Sequence, residues 1–243
     1  MGAVAAKAQR FATAVREVRH DKGSTAALKR AAGLLVAAAD YRARLYSEWR
    51  FDRRHNIDTR GVIPMGASLA ASAAHADGQR YQSTRPRDFE RLVRSLPLEL
   101  PPSDYTFIDL GCGKGRVLVL AACHGFKRVV GVELDGTLVA VARANLQSVR
   151  PRSGTHSADV EVVTTDAAGF SLPQGPVIVY MYNPFGEQTI RDVASNLQCS
   201  LEQQPRPMLV IYYNPVHEHL LEEVPALKRV PSGADFWRFY SAR

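Results

Sequence analysis

The chain has 243 residues, of which 46% are hydrophobic and 23% charged, with a net charge of +7. That length accommodates one α/β core of about 150 residues and something more. No apolar run reaches the ~20 residues that span a bilayer; the longest candidate, 31–39, is bounded by Arg30 and Asp40. The three cysteines, Cys112, Cys123 and Cys199, form no C-x-x-C pair and have no histidine at metal-ligand spacing. This predicts a soluble chain in a reducing, cytoplasmic setting, with no metal site. The first residues lack a signal-peptide layout, and their acids argue against a transit peptide.

The positive charge is unevenly placed. Residues 1–60 hold 13 Lys and Arg against 6 Asp and Glu, whereas residues 61–243 hold 18 of each. The first quarter therefore reads as a basic extension (1–60) and the remainder as a neutral core. A solvated helical face accounts for the basic quarter better than a nucleic-acid surface does. Its aromatics are few, and no basic run is longer than a pair such as Arg53-Arg54.

In chain order, the Ala-, Leu- and Arg-rich stretches 3–20 and 25–50 predict two helices. Asp21-Lys22-Gly23-Ser24 separates them, with Ser24 or Thr25 as a cap. Leu34, Ala38, Tyr41 and Leu45 recur at helical spacing and give the second helix an apolar side. Residues 51–63 are expected to be irregular. Residues 61–80, rich in small residues, are expected to form a flexible connector or lid ahead of a catalytic domain over 81–243. A helix over 87–96 ends at Pro97, and Pro101 and Pro102 keep the chain irregular up to the first strand.

From Tyr105 onward strands and helices alternate. Strands are predicted at 105–110, 129–132, 160–164, 177–182 and 208–213, with closing strands at 227–230 and 235–240. Helices are predicted at 116–122, at 136–149 with Asp135 as N-cap, and at 187–201. Such alternation predicts a doubly wound, mostly parallel, Rossmann-like sheet of seven strands with helices on both faces and an N-terminal helical extension. Ligands of such sheets sit beyond the carboxyl ends of the strands. The turn at 111–115, Glu133, Asp166, Asn183 and Asn214 all belong at that edge.

The chemistry concentrates in Phe107-Ile108-Asp109-Leu110-Gly111-Cys112-Gly113-Lys114-Gly115. An apolar strand carries an acid near its end and opens at once into a turn with three alternate glycines. Glu133 closes the next apolar run, 24 residues after Asp109. This is a βαβ nucleoside-binding unit. A dinucleotide site would space its glycines G-x-G-x-x-G for a pyrophosphate. Here the spacing is G-x-G-x-G with an acid just before it, which suits the amino group and sulfonium cation of S-adenosylmethionine. A nicotinamide oxidoreductase is correspondingly disfavoured.

At these residues the chain resembles the class I, seven-stranded S-adenosylmethionine-dependent methyltransferases. Glu133 offers paired acceptors for the vicinal ribose hydroxyls. The resemblance implies that Asp109 and the backbone of Gly111 and Gly113 hold the methionine end, that Gly115 completes the cofactor turn, and that Asp166 or the adjacent backbone takes the adenine amino group. Two further segments, Tyr81-Gln82-Ser83-Thr84 and Asn183-Pro184-Phe185-Gly186, resemble the non-SET lysine methyltransferases of the disruptor-of-telomeric-silencing type and bacterial relatives. That likeness implies that Tyr81 and Thr84 reach over the cofactor.

Tyr182, Asn183, Pro184 and Phe185 are the candidate catalytic set. Their run also resembles the Asn-Pro-Pro-aromatic motif of amino-group methyltransferases, in which an Asn oxygen and a carbonyl accept from an NH₂ group and an aromatic packs on it. Tyr213-Asn214-Pro215 repeats the pattern on the next strand, as a second side of the cradle or simply as strand-ending chemistry. His217 and His219 are surface polar groups in one reading, and one of them is a general base in another. The expected reaction is methyl transfer to an amine, on a protein lysine or a small metabolite. A catalytically silent cofactor-binding accessory protein and a nucleic-acid methyltransferase are the alternatives.

Overall fold

The computed structural model describes residues 2–61, 83–149, 159–183 and 185–242. The expected connector at 61–80 lies outside them but for Gly61. By compactness the chain divides into two units, Met1–Arg50 and Phe51–Arg243. None of the helices among the described residues is long and apolar enough to cross a membrane.

The two helices expected at the N-terminus are one, α1 (Gly2–His55). Gly23 costs only about 1 kcal/mol relative to Ala within a helix, and Ala-rich flanks carry the helix through it. Residues 51–55, expected to be irregular, are its last turn. It stops at Asn56, whose φ of 54° is left-handed, while Ile57 N–H bonds back to the Asp52 carbonyl at 3.0 Å. Helix α2 (Pro86–Arg94) starts on a proline, whose missing N–H is no loss there. It buries Phe89 and Leu92.

Seven strands form one sheet: β1 (Thr106–Leu110), β2 (Arg128–Glu133), β3 (Asp159–Thr164), β4 (Val177–Tyr182), β5 (Met208–Tyr213), β6 (Lys228–Val230) and β7 (Trp237–Ala242). Their order is β3-β2-β1-β4-β5-β7-β6. The first five are parallel, and β7 runs antiparallel to both β5 and β6. Strand β1 is buried at every position, as a central strand covered on both faces must be.

Alternation along the strands sorts the core into two layers. Phe107, Val129, Ile178, Tyr180, Leu209, Ile211, Tyr213, Trp237 and Phe239 face α2, α3 (Arg116–Ala121) and α4 (Gly136–Ser148). Ile108, Val130, Val179, Met181, Val210 and Tyr240 face α5 (Glu187–Gln203) and α6 (Glu218–Glu222). Asp135 caps α4 as expected, its Oδ1 accepting from Thr137 N–H at 2.7 Å. The winding direction reverses between β1 and β4, the switch point where such sheets open a crevice.

Candidate functional site

Because β1–β5 are parallel and in register, every residue that follows their carboxyl ends shares one rim. The structure thus brings Gly111, Glu133, Asp166, Asn183 and Asn214 to a single edge, as the sequence predicts. Gly111, Gly113 and Gly115 have φ of 77°, 53° and 81°, values that only glycine adopts freely. The turn is pinned at its base, where Gly111 and Cys112 N–H both bond the Val132 carbonyl at 2.9 and 3.0 Å. Gly131 permits this closeness, since a Cβ there would lie 2.5 Å from Leu118 Cδ1 and 2.8 Å from Cys112 Sγ.

Glu133 reaches back across the turn. Its Oε2 accepts from Gly113 N–H at 2.9 Å, and its Oε1 accepts from Leu134 and Asp135 N–H at 2.9 and 3.0 Å. Three of the roughly four acceptor positions of the carboxylate are therefore taken. A ribose diol placed there would meet a carboxylate already oriented, and seating both hydroxyls on it would require one N–H to be given up. Burial pushes the Glu133 carboxyl up despite those three bonds. Asp109 is buried on the same face of the sheet, and burial followed by the Glu133 charge raises it well above the usual carboxylate range. Two acids whose charged forms are destabilised are suited to a cationic ligand.

Pyrophosphate would meet two carboxylates here, whereas a sulfonium and an ammonium would relieve them. The Cys112 thiol is driven up by burial and by the Asp109 and Glu133 charges, which removes it as a nucleophile. Asp166 sits in the turn after β3, where Oδ1 accepts from Ala168 N–H at 3.0 Å. Thr84 is buried, with its hydroxyl 2.7 Å from the Tyr180 hydroxyl. Tyr180 is the register partner of Asp109.

The β4–β5 end of the rim is built from side chains. Asn183 and Asn214 both adopt left-handed φ, 37° and 51°, a conformation Asn tolerates better than most residues. The Tyr212 hydroxyl donates to Asn183 Oδ1 at 3.4 Å. On the α2 face, the Tyr182 and Tyr213 ring centroids lie 4.6 Å apart, and those of Tyr213 and Trp237 lie 5.8 Å apart. The Tyr213 hydroxyl donates to Asp88 Oδ2 at 3.1 Å. Phe185 packs against the opposite, α5–α6 layer, so the aromatic surface beside Asn183 on the α2 face is Tyr182 and Tyr213. His217 precedes α6 and His219 lies within it, their ring centroids 6.4 Å apart. Tyr81 and Pro184 lie outside the described residues.

Sequence reasoning missed the groups that fasten the turn from outside. Arg116 and Lys114, either side of Gly115, bind Asp52, Thr59 and Asp58. One signal was available: a charged residue opens an otherwise apolar helix, Val117-Leu118-Val119-Leu120-Ala121, and must find a partner.

Residues 107–200 match the family model for a methyltransferase domain. That match spans the glycine turn, Glu133, Asp166 and Asn183. The fold is a Rossmann-like, mostly parallel seven-stranded sheet with flanking helices, as the sequence predicts. A ribosomal protein L11 methyltransferase of Alkaliphilus metalliredigens is 41% identical over 44 residues, 18% of this chain and 14% of that protein. The match thus spans about one seventh of that curated relative's length. Among solved structures, an RNA methyltransferase from Salinibacter ruber in complex with S-adenosyl-L-homocysteine is 21% identical, with a TM-score of 0.43, over 67% of this chain and 92% of that one. A predicted N6-adenine-specific DNA methylase from Listeria monocytogenes is 16% identical, with a TM-score of 0.47, over 73% and 54%.

Proposed function

We propose that the protein transfers the methyl group of S-adenosylmethionine to the nitrogen of an amine acceptor, a protein lysine or a small amine-bearing metabolite. The observation that carries the reading is Asn183. It stands in left-handed conformation at the end of β4, on the same rim as the glycine turn, with the Tyr182–Tyr213 ring pair packed beside that strand end. Its side-chain oxygen is an acceptor for an N–H, and ordering that nitrogen toward the methyl carbon is what an in-line displacement requires. The segment's likeness to the non-SET lysine methyltransferases supports the same choice.

In this reading the cofactor supplies the electrophilic methyl group. The protein supplies position and a dry site. Glu133 and Asp109 hold the cationic and ribose portions, with Gly111, Gly113 and Gly115 allowing the backbone to approach, Asp166 on the adenine side and Thr84 beside Tyr180. Tyr182 and Asn183, with Tyr213 beside them, form the acceptor side. An amine needs only to lose its proton before attack, so the site requires no strong base. The Tyr213 phenol, pushed up by burial and then by Asp88, stays neutral and serves as a donor.

The test is incubation with methyl-labelled S-adenosylmethionine and a cell extract, followed by separation of macromolecules from metabolites. Protease-sensitive label that survives mild base identifies a protein amine, and base-stable label on small molecules identifies a metabolite. Nuclease-sensitive label would assign the basic first quarter to nucleic-acid binding and overturn the amine reading. Binding of cofactor with no transfer to any fraction would identify a silent accessory protein.

A further inference from the structure

The glycine turn that is to receive a cation has two cations built into it, Lys114 and Arg116, one on each side of Gly115. Arg116 is the first residue of α3 and is 1% exposed. A positive charge at a helix N-terminus opposes the helix dipole, and burying it is costly unless its partners are complete. They are complete, and they come from elsewhere in the chain. Arg116 Nη2 donates to Asp52 Oδ1 at 3.2 Å, Nε to Thr59 Oγ1 at 2.6 Å and Nη1 to Ser83 Oγ at 2.8 Å.

Asp52 is itself buried. Its Oδ2 accepts from Thr59 N–H at 2.9 Å, its Oδ1 accepts from Thr59 Oγ1 at 2.6 Å, and the half-exposed Arg60 lies 3.4 Å away. On the other side, Lys114 Nζ donates to Asp58 Oδ2 at 3.1 Å and to the Arg60 carbonyl at 2.9 Å. Asn145 ties this pair down, with Nδ2 donating to the Asp58 and Lys114 carbonyls and Oδ1 accepting from Asp58 N–H, each at 2.9 Å.

We propose that Asp52 and Asp58 are specificity-determining positioning residues that mask the charges of Arg116 and Lys114, so that the glycine turn accepts a cationic cofactor. The inference rests on the S-adenosylmethionine reading of that turn. A purely structural anchor would not need charge at Arg116, since an apolar residue of similar size packs a buried site as well or better. With charge present beside the turn, each cation left unpaired adds repulsion against a sulfonium or ammonium group, and each paired one adds little. The segment 51–60 is thus part of the cofactor site, although it precedes the first strand by some fifty residues of chain and touches the turn only through side chains.

The experiment compares S-adenosylmethionine, which carries the sulfonium charge, with S-adenosylhomocysteine, which carries a neutral sulfur, by calorimetry on the full chain. Wild type is expected to bind both; if it binds neither, the cofactor reading fails before this one is reached. In Asp52→Asn, which keeps shape and removes charge, S-adenosylmethionine affinity is expected to fall about fivefold more than S-adenosylhomocysteine affinity, with Asp52→Glu restoring the ratio. Asp58→Asn, at an exposed carboxylate, is expected to shift the ratio about twofold in the same direction and keeps the question answerable if Asp52→Asn does not fold. An equal loss of both ligands in whichever of the two asparagine variants folds, or no loss in it, would overturn the charge-masking role.

Discussion

The two halves of the rim are made by different means. At the β1–β2–β3 end, backbone does the work: positive-φ glycines, N–H groups converging on one carboxylate, and a strand glycine where a methyl group would collide. At the β4–β5–β7 end, side chains do it: Tyr182, Tyr213 and Trp237 on three strands, joined to Asp88 on α2. A backbone-built site is local in sequence and intolerant of substitution. A side-chain-built site is dispersed, and its parts can be removed singly.

The sharpest way to break that contrast is Trp237→Ala. Trp237 is 2% exposed, and its loss is expected to destabilise the fold by about 3–5 kcal/mol, read by denaturant unfolding. Affinity for S-adenosylhomocysteine, measured where the variant is still folded, should stay within about twofold of wild type. Parallel collapse of both would mean that the halves are not separable. Next in size, Asn183→Ala should lower kcat about 100-fold by loss of acceptor alignment, with S-adenosylhomocysteine affinity unchanged. Gly131→Ala acts on the other half: the collision with Leu118 and Cys112 should cost about 1–3 kcal/mol and weaken S-adenosylhomocysteine binding as the turn shifts, seen by thermal melts and calorimetry.

The smallest effect is electrostatic. Burial raises both acids, Asp109 and Glu133, above their ordinary values, joined at Asp109 by the Glu133 charge and at Glu133 by the Asp135 charge, so the folded chain holds protons that the unfolded chain has lost. Their contribution to stability is therefore present below an ordinary carboxylate pKa of about 4 and declines as pH rises toward the raised values. A bound cation favours the charged forms. Cofactor binding should release protons and tighten as pH rises through that window, with the release measured by calorimetry in buffers of different ionisation heat. Asp109→Asn should remove part of the release.

The sequence legibility of the molecule follows the same division. Asp109, the glycine turn and Glu133 lie within 25 residues, and each residue type has a local reason to be there. The alternating runs likewise predict all seven strands; β1, β2, β4 and β5 are the plainest, because largely buried, mostly apolar runs of five or six residues bounded by turns leave few other readings. The long α1 was not legible, because Asp21-Lys22-Gly23-Ser24 looks like a break and only the cumulative propensity of its flanks overrides it. The Asp52–Thr59–Arg116–Ser83 cluster was not legible either. Its members are up to 64 residues apart, and nothing local distinguishes Asp52 from a surface acid. For Phe185 the difficulty is direction: the residues after a strand turn out of its alternation, so its packing on the α5–α6 layer cannot be read from spacing.

The central claim is that one half of the rim binds S-adenosylmethionine while the other directs its methyl group to nitrogen. The most direct measurement pairs wild type with Asn183→Ala, both supplied with methyl-labelled cofactor and the same extract, and both titrated with S-adenosylhomocysteine. The account predicts equal binding, base-stable label with wild type, and about 100-fold less label with the variant. Equal labelling by the two proteins, or label that mild base removes as it would from an ester, would contradict it.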